Sequence, residues 1–229
     1  MVAQVYLEEG VRNHVRTKKL LKHYSEKPIL YIDRHQEVFN PRGQNFRLQK
    51  QKPSLIIAEK HGTRVHPAPS AYGTGGKQHF YFSHMLNCVY DCRYCFLQGM
   101  YRSANYLVFV NFEDFVKDIE DTIKGAGGEQ VWFYSGYDCD SLAFEPVTGF
   151  AEFFIPKFSQ WPNAILELRT KSTQIRSLLA REPLENVVVA FSLNSESIAN
   201  KIEERAPSVE KRLEAMRKLQ EAGWKVAAR

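Results

Sequence analysis

From residue 78 onward, strand-like and helix-like segments alternate along the chain. Runs rich in β-branched and aromatic residues predict strands at about residues 79–84, 130–135, 164–170, 187–193 and 224–229. Amphipathic segments between them predict helices at residues 111–125, 148–159, 173–180 and 209–222. Repeated strand–helix units need crossover connections, so the sequence predicts an α/β fold with a parallel sheet and helices packed outside it.

The fifth predicted strand ends at Arg229, the last residue. A parallel barrel that stops inside its fifth strand would leave an unpaired edge and an open core. We therefore expect a partial barrel that is incomplete after about the fifth strand. We also expect the chain to be truncated at its C-terminus, through a frameshift or a partial gene.

Residues 1–75 differ from the rest of the chain in charge and in pattern. They hold 13 Lys and Arg against 6 Asp and Glu, whereas residues 76–229 hold 18 against 20. Short strands are predicted here only at Ile29–Ile32 and near Leu55–Ala58. We expect a weakly ordered, basic N-terminal region (1–75) before the barrel (76–229). Its charge indicates either a polyanion partner such as nucleic acid or a basic surface that keeps the protein soluble.

A linker is predicted between these two regions. Pro67 and Pro69 are followed by the run Gly73-Thr74-Gly75-Gly76. This run could be mistaken for a phosphate-binding loop, but it lacks the Lys-Ser/Thr that should follow and the strand that should precede it.

The composition excludes several classes of protein. Hydrophobic residues make up 44% and charged residues 25% of the 229 residues, which excludes disorder and low complexity over the whole chain. No window approaches ~18 consecutive apolar residues, so no transmembrane helix is predicted. The N-terminus has no apolar core behind a basic start, so no secretory signal is predicted.

Three of the four cysteines fall within eight residues, as Cys88, Cys92 and Cys95, and Cys139 stands alone. A secreted disulfide framework would spread its cysteines, so this clustering indicates a metal site in a reducing, cytoplasmic compartment. The cluster follows the first barrel strand, at the edge where parallel α/β folds place their chemistry. Three thiolates can hold three irons of a four-iron cluster and leave the fourth iron open to a ligand.

A zinc site is one alternative, and three inert buried thiols are another. Zinc needs a fourth ligand, which His84 could supply in an H-x3-C-x3-C-x2-C arrangement. The C-x3-C spacing is wider than the C-x2-C turn usual at zinc sites, and it favours an iron–sulfur cluster.

The C-x3-C-x2-C motif, with Tyr94 before its third cysteine, resembles the motif of the radical SAM enzymes. The segments CRYCFLQG, NYLVFVNFEDF, FYSGYDCDSLA, LRTKS, AFSLNSE and EKRLEAMRKLQEAGWKV are similar to the spore photoproduct lyase family. This resemblance covers residues 54–229 and is weaker N-terminally. It implies a partial parallel (βα)6-type TIM barrel with a [4Fe-4S] cluster and S-adenosyl-L-methionine (SAM). It also implies repair of a cross-linked thymine pair in DNA by hydrogen abstraction, and an electron donor such as flavodoxin or ferredoxin.

The resemblance also implies roles for single residues. Cys88, Cys92 and Cys95 match the cluster ligands. Tyr94 matches an aromatic residue that lies close to SAM and is linked to radical relay.

Further positions match the family's SAM contacts. Lys171 matches a lysine that meets the SAM carboxylate, and a cation at a strand end suits that role. Ser192 and Asn194 match polar groups that reach the methionine and ribose parts of SAM, although both residue types also favour helix N-caps. Ser135 and Gly136 end the second strand where backbone lies against the SAM amino group, although a glycine there also suits a tight turn.

Two positions depart from the family pattern. The family's hydrogen-donating cysteine aligns with Tyr137 when the segment is matched without a gap on Asp140, and Cys139 lies two residues later. Cys139 is therefore either the donor on a shifted loop or a buried thiol, and a tyrosine at this position, Tyr137, is the other candidate to return hydrogen. Phe96 stands where the family has a tyrosine, and it cannot carry a phenoxyl radical. Alternative functions are a radical SAM protein with a non-DNA substrate and a truncated, non-catalytic module that binds metal or nucleic acid.

Overall fold

A computed structural model of the chain describes residues 2–39, 41–69 and 78–229. Its strands are β1 (Val5–Glu8), β2 (Ile29–Ile32), β3 (Leu55–Ala58), β4 (Val65–Pro67), β5 (Gln78–Phe82), β6 (Met85–Leu86), β7 (Asp91–Cys92), β8 (Tyr106–Phe109), β9 (Val131–Ser135), β10 (Ala164–Thr170), β11 (Val187–Phe191), β12 (Glu203–Glu204) and β13 (Lys225–Ala228). Its helices are α1 (Val15–Lys22), α2 (Gln36–Phe39), α3 (Phe46–Gln51), α4 (Leu97–Met100), α5 (Phe112–Gly125), α6 (Glu145–Thr148), α7 (Phe150–Phe158), α8 (Arg176–Leu179), α9 (Glu196–Ile202) and α10 (Val209–Glu221).

One sheet is built mainly from the N-terminal region, in the order β2-β1-β3-β8-β6. β1 pairs in parallel with β2 and β3, and β3 pairs in parallel with β8. All four residues of β3 are buried, as is typical of a parallel strand covered on both faces. The expectation that residues 1–75 are weakly ordered is therefore wrong for the described part. Strand pairs β3–β8 and β4–β5 also cross the predicted boundary at residue 75.

The other large sheet has the order β13-β11-β10-β9-β5-β4. β5, β9, β10, β11 and β13 are parallel and lie side by side in chain order, which confirms the predicted α/β class with a parallel sheet. β4 is an antiparallel edge strand that the sequence did not predict. Its last residue, Pro67, was predicted as linker, but an edge strand tolerates a residue without an N–H donor. Gly73, Gly75 and Gly76 lie outside the described residues.

An aromatic core joins the parallel sheet to α5 and α7. The Phe154 ring of α7 lies 5.2 Å from that of Phe82 on β5 and 5.2 Å from that of Phe112 on α5, between ring centroids. Such aromatic contacts add about 0.5–1.5 kcal/mol per pair beyond the burial of area. They hold α5 and α7 against one face of the parallel sheet.

Two predicted helices differ from the structure in their limits. The helix predicted at residues 148–159 is split at Gly149, whose φ of +60° lies in the left-handed region. The split is stabilised by the Glu145 carboxylate, which accepts hydrogen bonds from the backbone N–H groups of Ala151 and Glu152 at 2.8 and 3.0 Å. The helix predicted at residues 173–180 is confined to α8. Within the described ranges, no helix combines the length and apolar character that crossing a bilayer would need.

Candidate active site

The cysteine motif lies on the loop that follows β5 and β6. Cys92 belongs to β7, Cys88 precedes this strand, and Cys95 directly precedes the short stretch that leads into α4. All three line a cavity of about 150 Å³ at the carboxyl edge of the parallel sheet. The cavity is completed by residues that follow three parallel strands: Gly136, Tyr137, Cys139 and Asp140 after β9, Lys171 after β10 and Ser192 after β11.

The structure thus brings eight of the eleven predicted site residues to one cavity. The other three, Ser135, Tyr94 and Asn194, do not line it. Arg169, Asp140, Tyr90 and residues 96–97 line the cavity in addition, and sequence reasoning assigned none of them a site role.

The arrangement of the three motif thiols bears on the metal sites considered from the sequence. Within the described residues, no group of three or more His, Cys, Asp or Glu side chains is placed to hold one metal ion. Zinc needs its ligands around a single point, whereas an iron–sulfur cluster takes each cysteine sulfur on a different iron. Three thiols around one cavity are the donor set that an iron–sulfur cluster uses.

His84, the fourth ligand of the zinc alternative, does not line the cavity. Its ring stacks on Phe150 with centroids 3.9 Å apart, and its Nδ1 lies 4.0 Å from the Cys139 sulfur. Burial lowers the pKa of His84 to about 3, so the imidazole is neutral at physiological pH. His84 is a packed core residue behind Cys139.

Burial and the neighbouring polar groups have opposite effects on the pKa values of the motif thiols. Burial raises the pKa of the Cys88 and Cys92 thiols, whereas the Lys171 ammonium acts in the opposite direction on Cys92. The Cys88 sulfur also accepts a hydrogen bond from the backbone N–H of Tyr90 at 3.4 Å. Cations and N–H donors favour the thiolate that binds metal, so these contacts partly oppose the effect of burial on the two cysteines.

The turn after β9 depends on Gly136. Its φ is +82°, and a Cβ atom built there would lie 2.6 Å from the Ser141 hydroxyl and 3.0 Å from the Arg169 carbonyl oxygen. Ser135 packs beneath this turn, where its hydroxyl lies 2.8 Å from that of Ser141 and donates to the Glu167 carbonyl. The Gly136 backbone therefore lines the cavity, whereas the Ser135 side chain is buried beneath it and stabilises the turn through its hydrogen bonds.

Asp140 connects the β9 turn to the end of β10. Its carboxylate accepts hydrogen bonds from the Thr170 hydroxyl and the Lys171 backbone N–H, both at 2.6 Å. It also accepts from the N–H groups of Leu142 and Ala143. Burial raises the pKa of Asp140, although these hydrogen bonds oppose the effect. Asp140 thus positions the backbone of Lys171.

Tyr94 and Asn194 form a group at the rim. The Lys171 ammonium lies 5.5 Å from the centre of the Tyr94 ring. The Tyr94 hydroxyl donates a hydrogen bond to the Glu203 carboxylate, and Asn194 Nδ2 donates to Glu203 Oε1 at 2.7 Å and to the Tyr94 hydroxyl at 3.2 Å. Lys171 joins this group to the cavity, and Glu203 is a member that sequence reasoning missed.

The two candidate hydrogen donors both line the cavity. Cys139 is buried, and burial raises the pKa of its thiol well above the ordinary value, so its S–H bond is kept. The Tyr137 ring lies 4.3 Å from that of Tyr81 and 5.6 Å from that of Phe96, between centroids. Tyr137 is therefore part of an aromatic row, whereas Cys139 presents a protonated thiol.

Comparison with known proteins gives one family. The family model described as "Spore photoproduct lyase" matches residues 1–228. Spore photoproduct lyase of Bacillus subtilis (strain 168) is 24% identical over 194 residues, which cover 83% of this chain and 55% of the relative. Spore photoproduct lyase of Geobacillus sp. (strain Y412MC61) is 27% identical over 140 residues, which cover 61% and 41%. The chain thus spans about half the length of the curated relatives it matches.

Solved structures show the same fold. A spore photoproduct lyase mutant with bound AdoMet and dinucleoside spore photoproduct superposes with a TM-score of 0.87 at 20% identity, over all of this chain and 67% of that chain. A spore photoproduct lyase complexed with dinucleoside spore photoproduct gives a TM-score of 0.85, with the same identity and coverage.

Proposed function

We propose that this chain, which belongs to the spore photoproduct lyase family and hence to the radical SAM superfamily, is a carbon–carbon lyase that splits a thymine dimer-type lesion in DNA. The observation that carries the proposal is the single cavity lined by Cys88, Cys92, Cys95, Lys171 and Ser192. It unites the metal-binding thiols with a cation and a hydroxyl from two neighbouring parallel strands. Solved relatives hold AdoMet and a dinucleoside spore photoproduct, and we propose the same ligand classes here.

The finer architecture belongs to the same proposal. Five parallel strands lie side by side in chain order, which supports a partial (βα)6-type barrel over residues 76–229. Residues 1–75 are its basic N-terminal extension and a candidate surface for the DNA backbone, because 13 of their residues are Lys or Arg. All four cysteines are free thiols, which supports a cytoplasmic location. A flavodoxin- or ferredoxin-type electron donor is proposed because the family resemblance implies one.

Most of the predicted site residues have a part in this chemistry. When bound, a [4Fe-4S] cluster and SAM supply a 5′-deoxyadenosyl radical that can take hydrogen from an unactivated carbon. Cys88, Cys92 and Cys95 would hold the cluster. The Lys171 ammonium suits the SAM carboxylate, because a charge-assisted hydrogen bond is about twice as strong as a neutral one.

Other residues would complete the SAM site and the return of hydrogen. The Gly136 backbone and the Ser192 hydroxyl line the cavity and would form hydrogen bonds with SAM. Tyr94 and Asn194, which are hydrogen-bonded to each other, would contact SAM from the rim. Cys139 would return hydrogen to the thymine carbon radical, in a step where its S–H bond breaks, a C–H bond forms and the unpaired electron passes from carbon to the Cys139 sulfur. Tyr137 is the second candidate for that step.

The test of the cluster and of SAM cleavage uses the anaerobically purified chain, reconstituted with iron and sulfide. We expect about four irons per chain and 5′-deoxyadenosine formation after addition of SAM and dithionite. Cys92→Ala should lose both. Cys139→Ala is the matched control, because it removes a thiol from the same cavity and should keep its iron. An intact cluster without 5′-deoxyadenosine would contradict the proposal.

The hydrogen donor is tested with dinucleoside spore photoproduct as substrate. Cys139→Ala should still form 5′-deoxyadenosine but yield altered thymine products, whereas Tyr137→Phe should yield the parent products. The reverse pattern would assign the donor role to Tyr137. If 5′-deoxyadenosine formation responds to neither the dinucleoside nor irradiated DNA, a non-DNA substrate would replace the lesion in this proposal.

A further inference from the structure

Glu203 and Arg212 form an ion pair inside the protein, and each side chain is only 1% exposed. Arg212 lies on α10 and Glu203 on β12. The guanidinium also donates from Nε to the Pro207 carbonyl at 2.8 Å and from Nη1 to the Ser192 carbonyl at 3.0 Å. Arg212 therefore binds the residue that follows β11 as well as its acidic partner.

The carboxylate of Glu203 has two further partners on the other side. It accepts hydrogen bonds from the Tyr94 hydroxyl and from Asn194 Nδ2. Tyr94, Ser192 and Asn194 are three of the residues proposed to contact SAM. They come from two distant parts of the sequence, and this one ion pair bonds to all three.

The backbone of Glu203 contacts the cysteine loop directly. β12 pairs antiparallel with β7, so that Glu203 lies opposite Cys92. The backbone N–H of Arg93 also donates to the Ile202 carbonyl at 2.8 Å. Glu203 thus pairs through its backbone with a proposed cluster ligand, Cys92. Through its side chain it bonds to Tyr94 and Asn194, which are proposed to contact SAM.

We infer that Glu203 and Arg212 are positioning residues that align Tyr94, Ser192 and Asn194 with the cysteine loop so that SAM binds in register with it. The identity of the ligand rests on the proposed function. Without the carboxylate, Tyr94 and Asn194 lose a shared charged acceptor and Arg212 loses its ion pair, so binding SAM must restrict side chains that the parent already holds in place. The backbone pairing of Cys92 with Glu203 does not depend on the Glu203 carboxylate, so iron binding should persist.

The test measures SAM affinity by equilibrium dialysis with reconstituted protein. Glu203→Gln should raise the Kd for SAM about 10- to 100-fold, the range found for residues that support metal ligands, and it should leave iron content and the rate at saturating SAM near the parent values. Glu204→Gln is the matched control, because Glu204 lies on the same strand but its side chain is half-exposed and pairs with the exposed Arg93. It should bind SAM like the parent.

Glu203→Gln leaves Arg212 buried without its partner and could impair folding, so the double variant Glu203→Gln/Arg212→Met is measured beside it. Its Kd should rise about as much as that of the single variant, because the two residues act as a unit. Hydrogen exchange of residues 91–95, in the chain without cofactors, should be faster in both variants than in Glu204→Gln.

Parent-like SAM affinity in Glu203→Gln, or parent-like exchange in both variants, would overturn the inference. Loss of iron in Glu203→Gln would also overturn it, because the residue would then support the cluster ligands rather than SAM. If the parent chain binds iron but no SAM, the proposed function is what fails, and the exchange rates alone decide whether the pair orders the cysteine loop.

Discussion

Gly136→Ala is expected to lower the free energy of unfolding by about 2–5 kcal/mol, as the sum of a backbone cost and a steric cost. The φ of +82° costs a residue with a Cβ about 1–2 kcal/mol. The added Cβ would also lie 2.6 Å from the Ser141 hydroxyl and 3.0 Å from the Arg169 carbonyl oxygen. The carbonyl belongs to β10 and cannot rotate away, so overpacking adds about 1–3 kcal/mol.

Gly128→Ala separates the two costs. Gly128 has a φ of +88°, and within the described residues a Cβ there would have no neighbour closer than 4 Å. Its backbone cost therefore matches that of Gly136, whereas its steric cost is absent. We expect this control to lose only about 1–2 kcal/mol.

Urea unfolding at 25 °C, followed by circular dichroism, gives both values if the slopes against urea stay equal. A loss in Gly136→Ala no larger than in Gly128→Ala would refute the steric argument. The cavity wall would then tolerate a side chain at the turn. A larger loss would show that close approach, and not only the left-handed backbone, requires glycine here.

Two further predictions concern buried carboxylates. Burial raises the pKa of Glu8, but hydrogen bonds from His35 and from the Glu59 backbone outweigh burial and hold this pKa below 4.5. The ionised carboxylate therefore stabilises the fold above pH 4.5, and this stabilisation is lost as the pH falls through the folded-state pKa. In a plot of unfolding free energy against pH, Glu8→Gln should make the decrease at acid pH less steep than in the parent. Arg212→Met should lower the free energy of unfolding by about 3–5 kcal/mol, because Glu203 is left buried without its partner. The double variant Glu203→Leu/Arg212→Met should lower it by less in the same urea titration. Equal losses in the two variants would contradict this account.

The strands of the parallel sheet could be predicted from short runs rich in β-branched and aromatic residues, and β9, β10 and β11 are mostly buried, as is typical of parallel strands covered on both faces. The helix from Phe112 to Gly125 was equally clear, since its apolar residues recur at helical spacing behind Asn111. β1 and β8 were not predicted. Each has four residues, and their stability comes from pairing with β3, which the local sequence does not contain.

The site shows the same division between local and distant signals. Cys88, Cys92 and Cys95 form a local motif, and their shared cavity follows from a single loop. Asp140 and Glu203 were missed because their partners are distant: Thr170 lies 30 positions from Asp140, and Tyr94 lies 109 positions from Glu203. Ordinary carboxylates in the sequence become positioning groups only once the strands have assembled.

The cysteine motif and the residues that complete its cavity lie far apart in the sequence, and this distance has a consequence for biosynthesis. The cavity needs Ser192, which leaves the ribosome 104 residues after Cys88. At about 5–20 residues per second this delay is roughly 5–20 s. During that interval the three motif thiols are open to oxidants, and β7 lacks its partner strand. Metal delivered to the nascent chain would meet an unfinished loop, so cluster insertion is expected after synthesis has passed Glu203.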